Sequence, residues 1–422
     1  AGKSNTGGDT SVYLGNYAGA NRTGGCNIFL GRNAGYGESG SATGTRNVAI
    51  GYEAGKCGTS GNHNVFMGSY AGQYTTSGDC NVFLGLQAGL CNATGNSIVA
   101  IGSAAGHKGT AASGSVFIGT NAGKCALGLC SIMIGHNVAY NKCTGDDNIL
   151  MGYYSGFGSS SDRSLNTGSN NIFMGKYSGC RLTSGNSNVF IGYSAGGGDC
   201  VTGSQNVFLG SSAGNCLTSG SYNIALGSAA LCDIDSGGSN IAFGRCAGKC
   251  YTTGSNNIFM GAFAACEGTN GSHNFFAGNY AGRCKGGHGN ILIGEEAGRG
   301  SSTAADNTGN YNIFLGKSAG YSITSGLRNV SIGCGAGKCI NTGDSNVFLG
   351  NEAGQTNTTG NNNIFLGELA GGGGTVTGSK NVALGTQAGN DLTSGFSNVF
   401  LGPYAADKAT TGQQNIIIGD SA

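Results

Sequence analysis

The chain has 422 residues, of which 86 are glycine and 1 is proline, and its 21 basic and 20 acidic side chains nearly cancel. Charged residues make up 10% of it while 38% are hydrophobic, which excludes disorder driven by charge. A collagen helix would need a strict glycine period with abundant proline, no apolar run is long enough for a membrane-spanning helix, and the charge balance offers no footprint for nucleic acid or a membrane surface.

The glycines fall in register. Asn27-Ile28-Phe29-Leu30-Gly31 recurs as Asn64-Val65-Phe66-Met67-Gly68, Asn206-Val207-Phe208-Leu209-Gly210 and Asn398-Val399-Phe400-Leu401-Gly402. The closing glycine occurs in 24 copies from Gly15 to Gly419, and 15 of the 23 intervals are 17 residues. The repeat reads N-[VI]-F-[LMI]-G-x-x-A-G-x-x-x-T-[TS]-G-x-x, and three of its columns hold 66 of the 86 glycines. A unit this short cannot bury its own apolar side chains, so successive copies must stack. The fold class expected is all-β: a parallel β-solenoid of about 24 turns, one repeat per turn, forming a rod of roughly 115 Å at about 4.8 Å per strand.

In chain order, each repeat opens with asparagine in 20 of 24 copies, the exceptions being Ser11, Ile98, Ser115 and Ser131. Asparagine there suits left-handed backbone geometry and a hydrogen-bonded ladder. The three strand residues follow, with side chains alternating between faces. The middle position is phenylalanine in 13 copies: Phe29, Phe66, Phe83, Phe117, Phe173, Phe190, Phe208, Phe259, Phe276, Phe314, Phe348, Phe365 and Phe400. This column is assigned as an outward seam between chains. The opposite assignment, with Phe inside and Val/Leu outside, leaves the same need for cover, because the x-Ala-Gly run looks too short and small to serve as a second sheet. Self-association, as a side-by-side homotrimer, is the economical cover. The Thr/Ser-Gly segment reads as a turn.

Copies such as Asn47-Val48-Ala49-Ile50-Gly51-Tyr52-Glu53-Ala54-Gly55 resemble the repeats of trimeric autotransporter adhesin heads, and equally the shafts of phage and giant-virus fibres. The resemblance implies a left-handed β-roll, three chains side by side, and a place on a cell or virion surface. The longer repeat, the phenylalanines and the frequent cysteines depart from the adhesin pattern.

Among the 17 cysteines, Cys216, Cys232, Cys250, Cys266 and Cys284 occupy five consecutive turns. Stacked turns bring such residues within disulfide range, and Cys125 with Cys130, or Cys334 with Cys339, could bridge a corner within one turn. Disulfides are the favoured reading, which implies an oxidising, extracellular setting. Metal ligation lacks the usual CxxC and histidine spacing. Sequons at Asn21, Asn92 and Asn357 fall in the turn and are expected to be exposed; Asn329 lies in the strand and is expected to be inaccessible.

Three G-x-S-x-G strings, centred on Ser194, Ser212 and Ser318, share one repeat column. Catalysis would need one special turn, so no enzyme and no cofactor are expected. Insertions at 36–42, 157–165 and 299–307 leave from one edge, where a surface glycan or receptor could bind. The function expected is a structural shaft of an extracellular fibre or adhesin; the alternatives are a glycan-binding virion fibre and, third, an ice-binding solenoid, for which threonine is too patchy. The chain reads as a single continuous solenoid over 1–422 without caps, a segment of a longer chain or a head-to-tail filament subunit.

Overall fold

Each repeat contributes one strand of three residues, from β1 (Val12–Leu14) to β12 (Val207–Leu209) and from β13 (Ile224–Leu226) to β24 (Ile416–Ile418). The computed structural model describes residues 1–4, 10–37, 42–109, 112–141, 143–158, 167–198, 201–268, 270–301 and 307–422. Two compact units, Ala1–Ser211 and Ser212–Ala422, hold twelve strands each. Within each unit every strand pairs with the next in parallel and in register, as where Val65, Phe66 and Met67 face Val82, Phe83 and Leu84. The chain is thus an all-β parallel solenoid of about 23 turns of about 17 residues, with no helix among the described residues.

The phenylalanine column points inward. All thirteen, from Phe29 to Phe400, are at most 5% exposed. They stack along the interior, with Phe173 and Phe190 at 5.0 Å and 6° between planes and Phe190 and Phe208 at 5.0 Å and 10°. A seam between chains therefore cannot be built from these rings, and the outward assignment is corrected. What covers them is the x-Ala-Gly run, which the sequence made look too small. Its alanines, among them Ala71, Ala88 and Ala195, are fully buried. Its glycines let the backbone lie against the rings: a Cβ on Gly72, whose φ is +57°, would stand 2.7 Å from Phe66 Cδ1. Small residues fit because the opposite wall supplies the bulk.

The closing glycine has a different cause. Gly68 has φ +132°, which side-chain-bearing residues avoid, and a Cβ there would meet the carbonyl oxygen of Gly85 at 2.5 Å. Consecutive turns touch backbone to backbone at this corner.

A third interior column went unread in the sequence. The third residue after the Ala-Gly pair turns in from the corner, and its N–H donates to the pair's glycine carbonyl, as Leu217 does to Gly214 and Ile323 to Gly320. Leu182, Leu217, Ile234, Tyr251, Ile323, Ile340 and Leu392 fill this column and are at most 2% exposed. The signal was a recurrent aliphatic residue among positions that looked variable.

In two turns whose strand carries alanine, bulk arrives from elsewhere. In the turn of Ala225 the Ala-Gly pair becomes Ala230-Leu231, and Leu231 is fully buried. Beside Ala49, the guanidinium of buried Arg22 lies 4.9 Å from the centre of the Phe29 ring and donates to the carbonyls of Gly35 and Gly58.

Candidate functional site

The asparagines form the axial ladder. The Asn64 N–H donates to Asn47 Oδ1 at 2.9 Å, its Nδ2 reaches the same oxygen at 3.1 Å, and Nδ2 also donates to the Gly78 carbonyl at 2.8 Å. Each amide therefore bonds the turn before it through the neighbouring asparagine and the turn after it through a corner glycine. The left-handed backbone lies one residue earlier, as at His63 (φ 57°) and Ser187 (φ 56°), so asparagine is present for its paired donor and acceptor and not for its φ. Asn329 belongs to this buried ladder. Asn92 and Asn357, expected to be exposed sequons, occupy the interior corner column at 1% and 0% exposure, and Asn92 accepts the Gly95 N–H at 3.0 Å. Neither can receive a glycan in the folded chain, whereas Asn21 is partly exposed.

The threonines of the turn also bond upward. Thr59 Oγ1 donates to the Thr76 carbonyl at 2.9 Å and Thr76 Oγ1 to the Ala93 carbonyl at 3.0 Å. Their hydroxyls are committed to the stack instead of forming an open polar array.

With phenylalanine inside, the first and third strand positions face out. Across the 24 strands all 48 of these residues are apolar. Several are well exposed, among them Met67, Met174, Met260, Ile293 and Leu349. The result is a two-column apolar face with no charge in it.

The cysteine edge runs along unit 2. The Cys216 N–H donates to the Cys232 carbonyl at 2.8 Å, placing the two on adjacent turns. Cys216, Cys232, Cys250, Cys266 and Cys284 are thiols in this structure, as are Cys125, Cys130, Cys334 and Cys339. Burial, reinforced by Asp233, pushes the Cys232 thiol up to about 12, and burial with Cys246 and Cys250 nearby does the same to Cys266. Cys284 is raised to about 11 by burial and by its bond to Glu267. Such thiols are poor nucleophiles and poor metal ligands as they stand. Among the described residues, no group of three His, Cys, Asp or Glu side chains is placed to hold a metal ion.

A cleft near the third insertion is lined by Glu267, Arg283, Cys284, Arg299, Tyr321 and Ser322. Its cations are already engaged. Arg283 pairs with Glu267, which holds that carboxylate below its ordinary range, and Arg299 bonds Glu296 at 3.3 Å and the Tyr321 hydroxyl. Most of the three insertions (38–41, 159–166 and 302–306), together with Cys200, lies outside the described residues.

Ser194, Ser212 and Ser318 have φ of 51–56°, close to the 59° of Tyr177 and 58° of Gln87 in the same column. Nothing local singles them out as nucleophiles. Among the described residues, no helix is long and apolar enough to cross a membrane. A comparison with protein-family models finds no match, and a search among curated proteins returns no significant relative.

Proposed function

We propose that this chain is the structural shaft of an extracellular fibre, on a cell or virion surface, and that its copies associate side by side through the outward strand face. One observation carries this: 48 outward strand positions without a single polar residue. Three residues at about 3.3 Å and eleven steps of about 4.8 Å give a face of roughly 500 Å² in each unit. A patch of this size is as large as the largest on a typical monomer, about 300–600 Å², and such patches are often contact surfaces. A second copy is the favoured occupant because it presents the same rung spacing, so ridges of Val/Ile and Leu/Met can interlock turn after turn. A three-fold arrangement of left-handed rolls, as in the resemblance to adhesin heads, would bring one stripe from each chain to a common axis. Cysteine pairs on adjacent turns would staple the shaft where the setting oxidises them.

The test is sedimentation of the 1–422 chain with and without Leu84→Glu, Ile101→Glu and Leu349→Glu. These side chains face outward, so the variants should keep the fold by circular dichroism and sediment as monomers while the parent sediments as a multimer. A parent chain that stays monomeric at micromolar concentration would overturn the reading.

A further inference from the structure

One run of corners in unit 1 carries more aromatic residues than any other. It follows β8 (Ile132–Ile134), β9 (Ile149–Met151), β10 (Ile172–Met174) and β11 (Val189–Ile191). The two residues after the closing glycine are there His136-Asn137, Tyr153-Tyr154, Lys176-Tyr177 and Tyr193-Ser194. Elsewhere aromatic residues at these positions come singly or in pairs, as at Tyr52 and Tyr70 or Phe263 and Tyr280.

The rings touch in sequence along the stack. His136 lies on Tyr153 at 5.4 Å and 10°, Tyr153 meets Tyr154 edge-on at 4.4 Å, Tyr154 stacks with Tyr177 at 5.7 Å and 26°, and Tyr177 reaches Tyr193 at 6.3 Å. Phe157 extends the platform sideways, 4.6 Å from Tyr154. Tyr153 and Tyr193 are 42% and 52% exposed, and Tyr193, which meets Tyr177 edge-on, is the more open of the two. The Lys176 ammonium stands over both Tyr153 and Tyr177, at 5.5 and 5.2 Å. None of the eight corner positions is a carboxylate.

We infer that this platform binds an acidic polysaccharide chain. The apolar C–H face of a pyranose ring packs on an aromatic face, while tyrosine hydroxyls bond the sugar's rim. Four turns span about 14 Å along the stack, so the platform follows a linear polymer and not a single sugar. Lys176, with no acid among these corners, supplies the complement to a uronate or sulfate. A single-stranded nucleic acid would also stack on such rings and carries a similar charge per unit, but it lacks the C–H face rimmed by hydroxyls that a pyranose presents to tyrosine. The site uses none of the outward strand face, so it stands apart from the shaft reading.

Affinity electrophoresis of the 1–422 chain in gels containing sodium alginate, neutral dextran or poly-dT tests this. Alginate should retard the chain and the other two should not. Each of Tyr153→Ala, Tyr177→Ala and Tyr193→Ala should weaken retardation about three- to tenfold. Lys176→Gln, which removes charge without removing a ring, should weaken it by a similar factor, and Phe263→Ala in unit 2 should leave it unchanged. Equal retardation by dextran, stronger retardation by poly-dT, or retention that survives the tyrosine variants would each overturn the proposal. Sedimentation of the same samples reports separately on assembly.

Discussion

The backbone N–H of Asn81 donates to the side-chain oxygen of Asn64, one turn away, at 2.9 Å. Repeated from turn to turn, this bond makes the amide part of the ladder itself, and it sets what the column tolerates. Asn257 receives from Asn274 and donates to Asn240 Oδ1 and the Gly271 carbonyl, and it is fully buried.

Asn257→Ala should therefore cost about 1–3 kcal/mol for each polar partner left unsatisfied. Asn257→Asp should cost more, because it buries a charge and sets an oxygen against the Gly271 carbonyl. Asn257→Ser should be the mildest, since Ser115 Oγ accepts the Ser131 N–H at 3.2 Å in the same role. Urea midpoints by circular dichroism should fall from Ser to Ala to Asp, and an Asp variant as stable as the parent would contradict the account.

Lys285 occupies the interior corner column, where Ile323 and Ile340 sit in other turns, and it is fully buried. Burial pushes its ammonium down to about 7. The folded value lies below the unfolded one, so between pH 7 and about 10.5 the unfolded chain binds more protons and stability rises with pH. Below pH 7 the penalty is present in full, on the order of 3–5 kcal/mol. Lys285→Ile should raise the urea midpoint at pH 6.5 and flatten its rise toward pH 10.

Phenylalanine in the strand and glycine in the corner are mutually dependent. A Cβ on Gly196 would stand 2.4 Å from Phe190 Cδ2. Phe190→Ala alone should cost about 3–5 kcal/mol, and Gly196→Leu alone should be disruptive. The double variant copies the natural Ala225 and Leu231 combination and should be less destabilised than the sum, by about 1–3 kcal/mol of coupling. An additive double-mutant cycle would sink this pairing.

The raised thiols of Cys232 and Cys266 should resist alkylation. With both near 12, against about 8.5 for an ordinary cysteine, their thiolate fraction at pH 8 falls about a thousandfold. Iodoacetamide labelling followed by mass spectrometry should show their rates climbing with pH up to about 12. Rapid labelling at pH 8 would contradict the assigned burial.

The repeat period, the strand triplet and its closing glycine could be read directly, because a 17-residue unit with one apolar triplet has few ways to satisfy its backbone other than stacking. Which side of the triplet faced inward could not be read. Both faces of Val65-Phe66-Met67 are apolar, and alternation decides a face only when one side is polar. The corner column was hidden for another reason: Arg22, Thr75, Asn92, Tyr251 and Lys285 share it with leucine and isoleucine, so the recurrent aliphatic signal is broken along the chain. The same mixing made Asn92 and Asn357 look like surface sequons.

Stacking, its period and the glycine corners follow from the residues alone, since they rest on local chemistry repeated many times. That the Ala-Gly run closes over the phenylalanines, that valine and leucine are left outside, and that aromatic corners far apart in sequence, from His136 to Tyr193, meet on one edge emerges from the folded chain. The physical reason is that facing and adjacency depend on how the turn closes, and the path of the corner is set by contacts between turns that no single repeat contains.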